Sequence, residues 1–239
     1  LIIFTPVVFF GREKGLSLRL VYYNKKMQIL VNHSKILRLL ACFALTLVGV
    51  GCASRPPADP ENVCYIFEEK RGWYKASRAA EARWSVPIPV MMSFLYQESA
   101  FRAKAKPPRK WYFGFIPGPR PSSAYGYAQA IDSTWKSYRQ RAGRRGADRD
   151  NFADAVDFVA WYNHETSKTL GVAKHDADKL YLAYHEGAGG YKRGSYRRKP
   201  WLLKTARSVE LRANRYSRQL NKCRDALNRP WWLRLLSKG

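Results

Sequence analysis

The sequence predicts an all-α domain. Three observations carry that reading. Apolar residues recur at helical spacing over long segments, alternating strand runs and internal repeats are absent, and Asp or Asn stands where helical segments begin. Asn62 to Trp84 reads as a helix, with Val63, Ile66, Phe67, Trp73, Tyr74 and Ala80 on its apolar face. Pro87 and Pro89 punctuate. Val90–Gln97 is almost wholly apolar and reads as a buried helix with Pro in its first turn and Glu98 at its end. Residues 102–121 read as a loop, with five prolines, six Lys/Arg and the aromatics Trp111, Tyr112, Phe113 and Phe115, and room for a small hairpin. Asp132 is the expected N-cap of a helix over 133–142 that stops at Gly143, and Asp150 or Asn151 that of a helix over 152–169. Asp176 is expected to start a helix over 177–186, with Leu180, Leu182, Ala183 and Tyr184 on its apolar side. Gly187–Gly194 reads as a glycine loop, and Trp201–Arg224 as a long basic helix.

Composition bounds the function without deciding it. Hydrophobic residues make up 46% of the chain and charged residues 26%, enough for a packed core beyond the first ~50 residues. The net charge is +25, and from Ala53 onward it is still +19, so the excess belongs to the domain itself. Such a field attracts polyanions: nucleic acid, anionic headgroups or a carboxylate-rich cell wall. The spacing of Arg207, Arg212, Arg215 and Arg218 predicts a solvated or membrane-facing surface on the last helix. His33, His164, His175 and His185 are not spaced as zinc ligands, and no phosphate loop or Ser/His/Asp arrangement is evident. No metal and no cofactor is expected.

The N-terminal region reads as targeting. Lys35 and Arg38 precede the uncharged run Leu39–Gly51, whose 13 residues fall below the ~20 a spanning helix needs. Val50-Gly51-Cys52-Ala53-Ser54 and a Pro-rich stretch follow. Small residues before a Cys and a polar tether after it resemble a bacterial lipoprotein signal. That resemblance implies lipid attachment at Cys52 and a periplasmic protein. Ala53 after the cysteine resembles an outer-membrane address. The expected organisation is 1–26 an over-extended start or leader with Met27 the true start, 27–51 signal, 52–61 tether, 62–226 the domain and 227–239 a basic, aromatic tail. Cys64 and Cys223 then flank the domain. In an oxidising compartment they could form one disulfide; two independent thiols is the open alternative.

Glu98 follows a run of apolar side chains. A carboxyl at the edge of an apolar helix is partly desolvated, which raises its pKa and lets it act as a general acid. Three further motifs follow: Gly126-Tyr127-Ala128-Gln129, a helical stretch at 150–162 ending in Trp and Tyr, and Ala183-Tyr184-His185-Glu186-Gly187. With Glu98-Ser99-Ala100-Phe101, their order and spacing resemble the soluble lytic transglycosylase family, lysozyme-like enzymes that cut bacterial peptidoglycan. The resemblance covers roughly residues 65–215 and implies a lysozyme-like helical fold. It implies Glu98 as the catalytic group, with Ser123, Tyr127, Gln129, Tyr184 and Glu186 toward the substrate. In the family's Gly-Leu-Met-Gln element the Gly lets the chain pass close to the sugar and the Gln bonds near the catalytic carboxyl. Here Tyr127 and Ala128 replace Leu and Met. Tyr184 would contact Glu98 or the substrate. His185 and Glu186 depart from the family's Ala-Tyr-Asn-Ala-Gly, and Glu186 places a second acid near the cleft.

Ordinary glycosidases need two carboxylates. A lytic transglycosylase needs one, because the C6 hydroxyl of the N-acetylmuramoyl residue attacks its own anomeric carbon. The expected partner is therefore peptidoglycan, with the membrane reached through the lipid anchor and the basic surface, no nucleic acid, and a monomeric enzyme. The competing readings are a hydrolase using Glu186 or Asp132 to hold water, and a non-catalytic peptidoglycan-binding lipoprotein.

Overall fold

The structure, a computed structural model, describes residues 55–229. The leader, Cys42, Cys52 and the tail beyond Arg229 lie outside the described residues. The described residues form α1 (Val63–Glu69), α2 (Arg71–Trp84), α3 (Ile88–Ser99), β1 (Trp111–Tyr112), β2 (Ile116–Pro117), α4 (Asp132–Arg141), α5 (Phe152–Leu170), α6 (Ala177–Lys192), a 3-10 turn (Ser195–Arg198) and α7 (Pro200–Asn228). This is the all-α, lysozyme-like arrangement with one small hairpin.

The segment read as one helix over 62–84 is two. Lys70 leaves the helical region (φ −115°, ψ 66°) and separates α1 from α2. The apolar spacing runs through that residue, so periodicity could not register the break. Its effect is to give each piece its own neighbour: α1 packs on α7, and α2 packs on α5. The Asn62 side chain accepts the Cys64 and Tyr65 amides and caps α1. Cys64 of α1 and Cys223 of α7 are joined by a disulfide, Cα to Cα 6.1 Å.

α3 is the buried centre. Every residue from Ile88 to Leu95 is buried, and the helix packs between α5 and α7. Pro87 and Pro89 start it, where a missing N–H costs nothing. It ends at two successive left-handed residues, Ala100 (φ 49°) and Phe101 (φ 60°). The buried Phe101 ring, between Trp73 and Tyr96, holds that sharp exit in place. Helix α7 presents the buried stripe Leu202, Ala206, Val209, Ala213, Tyr216 and Leu220 to the core.

A buried charge ties three helices. Asp157 of α5 accepts from Trp84 Nε1 (2.9 Å), Tyr138 Oη (2.7 Å) and Arg83 (3.2 Å), so α2 and α4 converge on one satisfied carboxylate. Three expectations need correction here. Asp132 is the first residue of α4 and not its cap; the Ser123 hydroxyl accepts the Asp132 amide (3.1 Å), while the Asp132 carboxylate pairs with Arg149 (2.8 Å). The glycine loop does not form. Inside α6 only Gly187 departs from the helix (φ 71°, ψ 163°), and α6 resumes as far as Lys192, with the left-handed Gly194 (φ 66°) beyond it. Third, α7 does not present its arginines as a uniform solvated face. Arg212 lies over the Tyr96 ring at 3.7 Å and pairs with Glu61, as does Arg215.

Candidate active site

Glu98 sits in the last turn of α3, just before the two left-handed residues that turn the chain away. Removal from water is the dominant influence on its carboxyl and raises its pKa to about 7; a hydrogen bond from Tyr181 opposes this. Tyr181 comes from α6, where its ring also meets Phe94 edge-on at 5.3 Å. Tyr184 lies one turn further along the same face. Its ring packs against Phe94 (5.4 Å) and Tyr162 of α5 (4.9 Å), both edge-on. Burial lifts the pKa of all three phenols, and the Glu98 charge adds to the effect for Tyr181 and Tyr184. They therefore stay neutral at physiological pH and can donate but not carry charge.

Tyr184 was expected to contact Glu98 or the substrate. Its hydroxyl donates to the Ala128 carbonyl at 2.6 Å, which fastens α6 to the turn 126–129, and it lies near enough to Glu98 to feel its charge. Tyr181 is the phenol whose hydrogen bonding lowers the Glu98 pKa. Sequence reasoning missed it. The available signal was its position three residues before Tyr184, which puts both rings on one helix face.

The turn itself is closed by an isolated bridge between Tyr125 and Ala130. Gly126 has φ 80°, and a Cβ there would stand 2.1 Å from the Arg149 carbonyl oxygen. The neighbouring backbone by itself therefore demands glycine here. The Gly126 amide donates to Ala105 (3.0 Å) and the Tyr127 amide to Arg149 (3.2 Å). Gln129, also left-handed (φ 47°), donates its side-chain NH2 to the Ala105 and Gly126 carbonyls at 3.0 and 2.8 Å. It braces the turn against the start of the 102–121 loop and is not bonded to Glu98.

Tyr127 is buried. Its ring stands edge-on to Trp73 and Phe152, which stack on each other at 3.9 Å, so it has no surface to offer a sugar. Ser123 caps α4, as described above. Glu186, read as a possible second acid, is committed elsewhere. Its carboxyl, 5% exposed, accepts from Lys199 Nζ (2.6 Å), the Ser195 hydroxyl and His185 (3.0 Å). Those bonds, led by Lys199, hold its pKa down at about 2. Asp132 is 68% exposed and paired with Arg149.

The site is thus one protonatable carboxyl among neutral phenols, on the last turn of a core helix. A separate cavity of about 470 Å³, lined by Phe67, Arg71, Tyr74, Lys75, Arg78 and Leu227, shares none of these residues and contains no carboxyl. The family model described as the transglycosylase SLT domain matches residues 39–223, which is most of the chain. The chain belongs to the transglycosylase SLT domain family. No curated protein and no solved structure matches it. Membership accounts for the helical arrangement around Glu98 and makes this a lytic-transglycosylase-like domain of the kind that acts on peptidoglycan.

Proposed function

We propose that this SLT domain is a peptidoglycan lytic transglycosylase with Glu98 as its single general acid and base. The protonated carboxyl donates its proton to the glycosidic oxygen between N-acetylmuramic acid and N-acetylglucosamine, and the C1–O bond breaks. The resulting carboxylate takes the proton of the C6 hydroxyl as that oxygen bonds to C1. The products are a 1,6-anhydromuramoyl end and a free hydroxyl on the departing sugar, with no water consumed. Glu98 ends as it began, protonated.

The observation that carries this reading is the state of Glu98: a carboxyl with a pKa of about 7 populates both forms near neutrality, as a group that gives and then takes a proton requires. The Tyr181 hydrogen bond steadies the carboxylate during the second half of the cycle. The pairing of Glu186 with Lys199 and of Asp132 with Arg149 leaves both carboxylates poorly suited to holding an attacking water, which weighs against the hydrolase.

Digestion of purified peptidoglycan, with products identified by mass spectrometry, tests the proposal. Anhydro-muropeptides from the wild type and none from Glu98→Gln are expected. Products one water heavier would mean hydrolysis. No products from folded wild type would mean binding alone. We also propose that the protein is periplasmic and anchored to the outer membrane by lipid on Cys52. Incorporation of labelled palmitate that disappears in Cys52→Ala is the expected result.

A further inference from the structure

The loop 102–121 carries a feature the catalytic reading leaves unused. Its hairpin pairs Trp111 with Pro117 and Tyr112 with Ile116, and the Gly118 amide donates to the Lys110 carbonyl at 2.7 Å. Phe113 (φ 51°) and Gly114 (φ 80°), both left-handed, make the tip. The rings stand in solvent: Phe113 is 87% exposed, Phe115 73%, Trp111 60% and Tyr112 51%. None of the four meets another ring among the described residues. Four exposed rings within five residues of one hairpin mark a contact surface. A non-glycine residue held left-handed at its tip points the same way.

We propose that this hairpin docks the domain on an anionic lipid bilayer, with its aromatic tip in the headgroup region. Two properties select that partner. Trp and Tyr combined with wholly apolar Phe rings are the side chains that settle at a membrane interface, where one end is wet and the other apolar. The charge is complementary: residues 102–121 hold six Lys/Arg and no Asp or Glu. At the hairpin's base a cavity of about 380 Å³ is lined by Lys106, Arg120, Ser122, Ser123, Asp132 and Arg149. Asp132 pairs with Arg149, while Arg120 donates to the Pro107 carbonyl and Lys106 lies over the Tyr125 ring, so neither of these two charges is neutralised by a carboxylate and both can attract a headgroup phosphate. A sugar is a poorer occupant of the tip, because rings so exposed have no opposite wall to hold it. The pairing of β1 with β2 presents the rings already ordered, so little conformational freedom is lost on docking. This inference stands apart from the transglycosylase reading.

Hydrogen–deuterium exchange on the full chain tests it, comparing phosphatidylglycerol-containing vesicles, pure phosphatidylcholine vesicles and soluble glycan fragments without lipid. Exchange across 109–119 is expected to slow several-fold with phosphatidylglycerol only, and less at high salt. In Phe113→Ser/Phe115→Ser that protection is lost from the hairpin while attachment through other parts of the chain persists. Wild type that sediments with anionic vesicles yet exchanges unchanged at 109–119 overturns the proposal. So does equal protection of the double variant. Protection by glycan fragments alone assigns the hairpin to the sugar and overturns it too.

Discussion

At the residue scale the proposed reaction depends on one proton. On that mechanism Glu98 must be protonated to begin the cycle, so kcat is expected to fall on an alkaline limb with an apparent pKa near 7. Glu98→Gln lowers activity by about 10²–10⁴-fold and removes that limb. The same shift sets a stability trend. The folded pKa lies above the unfolded one, so the native state binds more protons between about 4.5 and 7 and loses stability as pH rises through that window. The Tm gain of Glu98→Gln over wild type should therefore be larger at pH 8 than at pH 5. Tyr181→Phe removes a bond that favours the carboxylate, so the alkaline limb moves to higher pH; a residue that merely packed would leave it in place. Glu186 runs the other way. Its folded pKa of about 2 lies below the unfolded value, so its ion pair stabilises fully above about 4.5 and is lost as pH falls toward 2. Glu186→Gln should cost about 1–2 kcal/mol at pH 7, since Lys199 remains partly solvated. That deficit should shrink in acid, and activity should stay within a few-fold of wild type.

At the scale of elements, the carboxyl is placed by how α3 ends and how the turn 126–129 is held. Ala100 and Phe101 send the chain out immediately after Glu98, and the buried Phe101 ring keeps that exit. The turn is fastened from three sides, by Ala105, Arg149 and Tyr184. Gly126→Ala sets a methyl 2.1 Å from the Arg149 carbonyl at a positive φ, and should destabilise by about 1–3 kcal/mol or more. Thermal unfolding reads that loss, and kcat falls with it if the turn shifts. The helices were legible wherever apolar spacing was long and a cap was present, as with Asn151 before α5. They were not legible at Lys70, where one residue leaves the helix without disturbing the pattern. Nor at Gly187–Gly194, where the composition argued for a loop. There Gly190 lies within the helix, with Glu186 and Ser195 so close that a Cβ would stand 3.0 Å from each.

At the scale of the whole domain, the first and last helices close around α3. Cys64 and Cys223 stand 159 residues apart, so their bond constrains a very long loop of the unfolded chain. Cys64→Ser/Cys223→Ser should lower stability by about 2–5 kcal/mol, measured by denaturant titration without reductant. Activity at low temperature should survive, because the Gln219 side chain still accepts the Val63 amide and Arg212 and Arg215 still hold Glu61.

The sequence by itself determined the class of fold, the order of its motifs and the carboxyl at the end of the apolar helix. Each of these is written in local spacing, which one stretch of chain carries alone. It also determined that the domain would be strongly cationic and would carry aromatics in the 102–121 loop. Tertiary structure alone decided what the polar side chains do. Tyr181 rather than Tyr184 lowers the Glu98 pKa by hydrogen bonding, with the Tyr181 ring set against Phe94 of α3. Tyr127 is core and Ser123 a cap, because the turn 126–129 lies against Trp73, Phe152 and Arg149. Glu186 is tied down, because Ser195 and Lys199 return to it after the Gly187 kink. A hydrogen bond is settled by which donor arrives from a distant segment, and neither composition nor periodicity records that arrival.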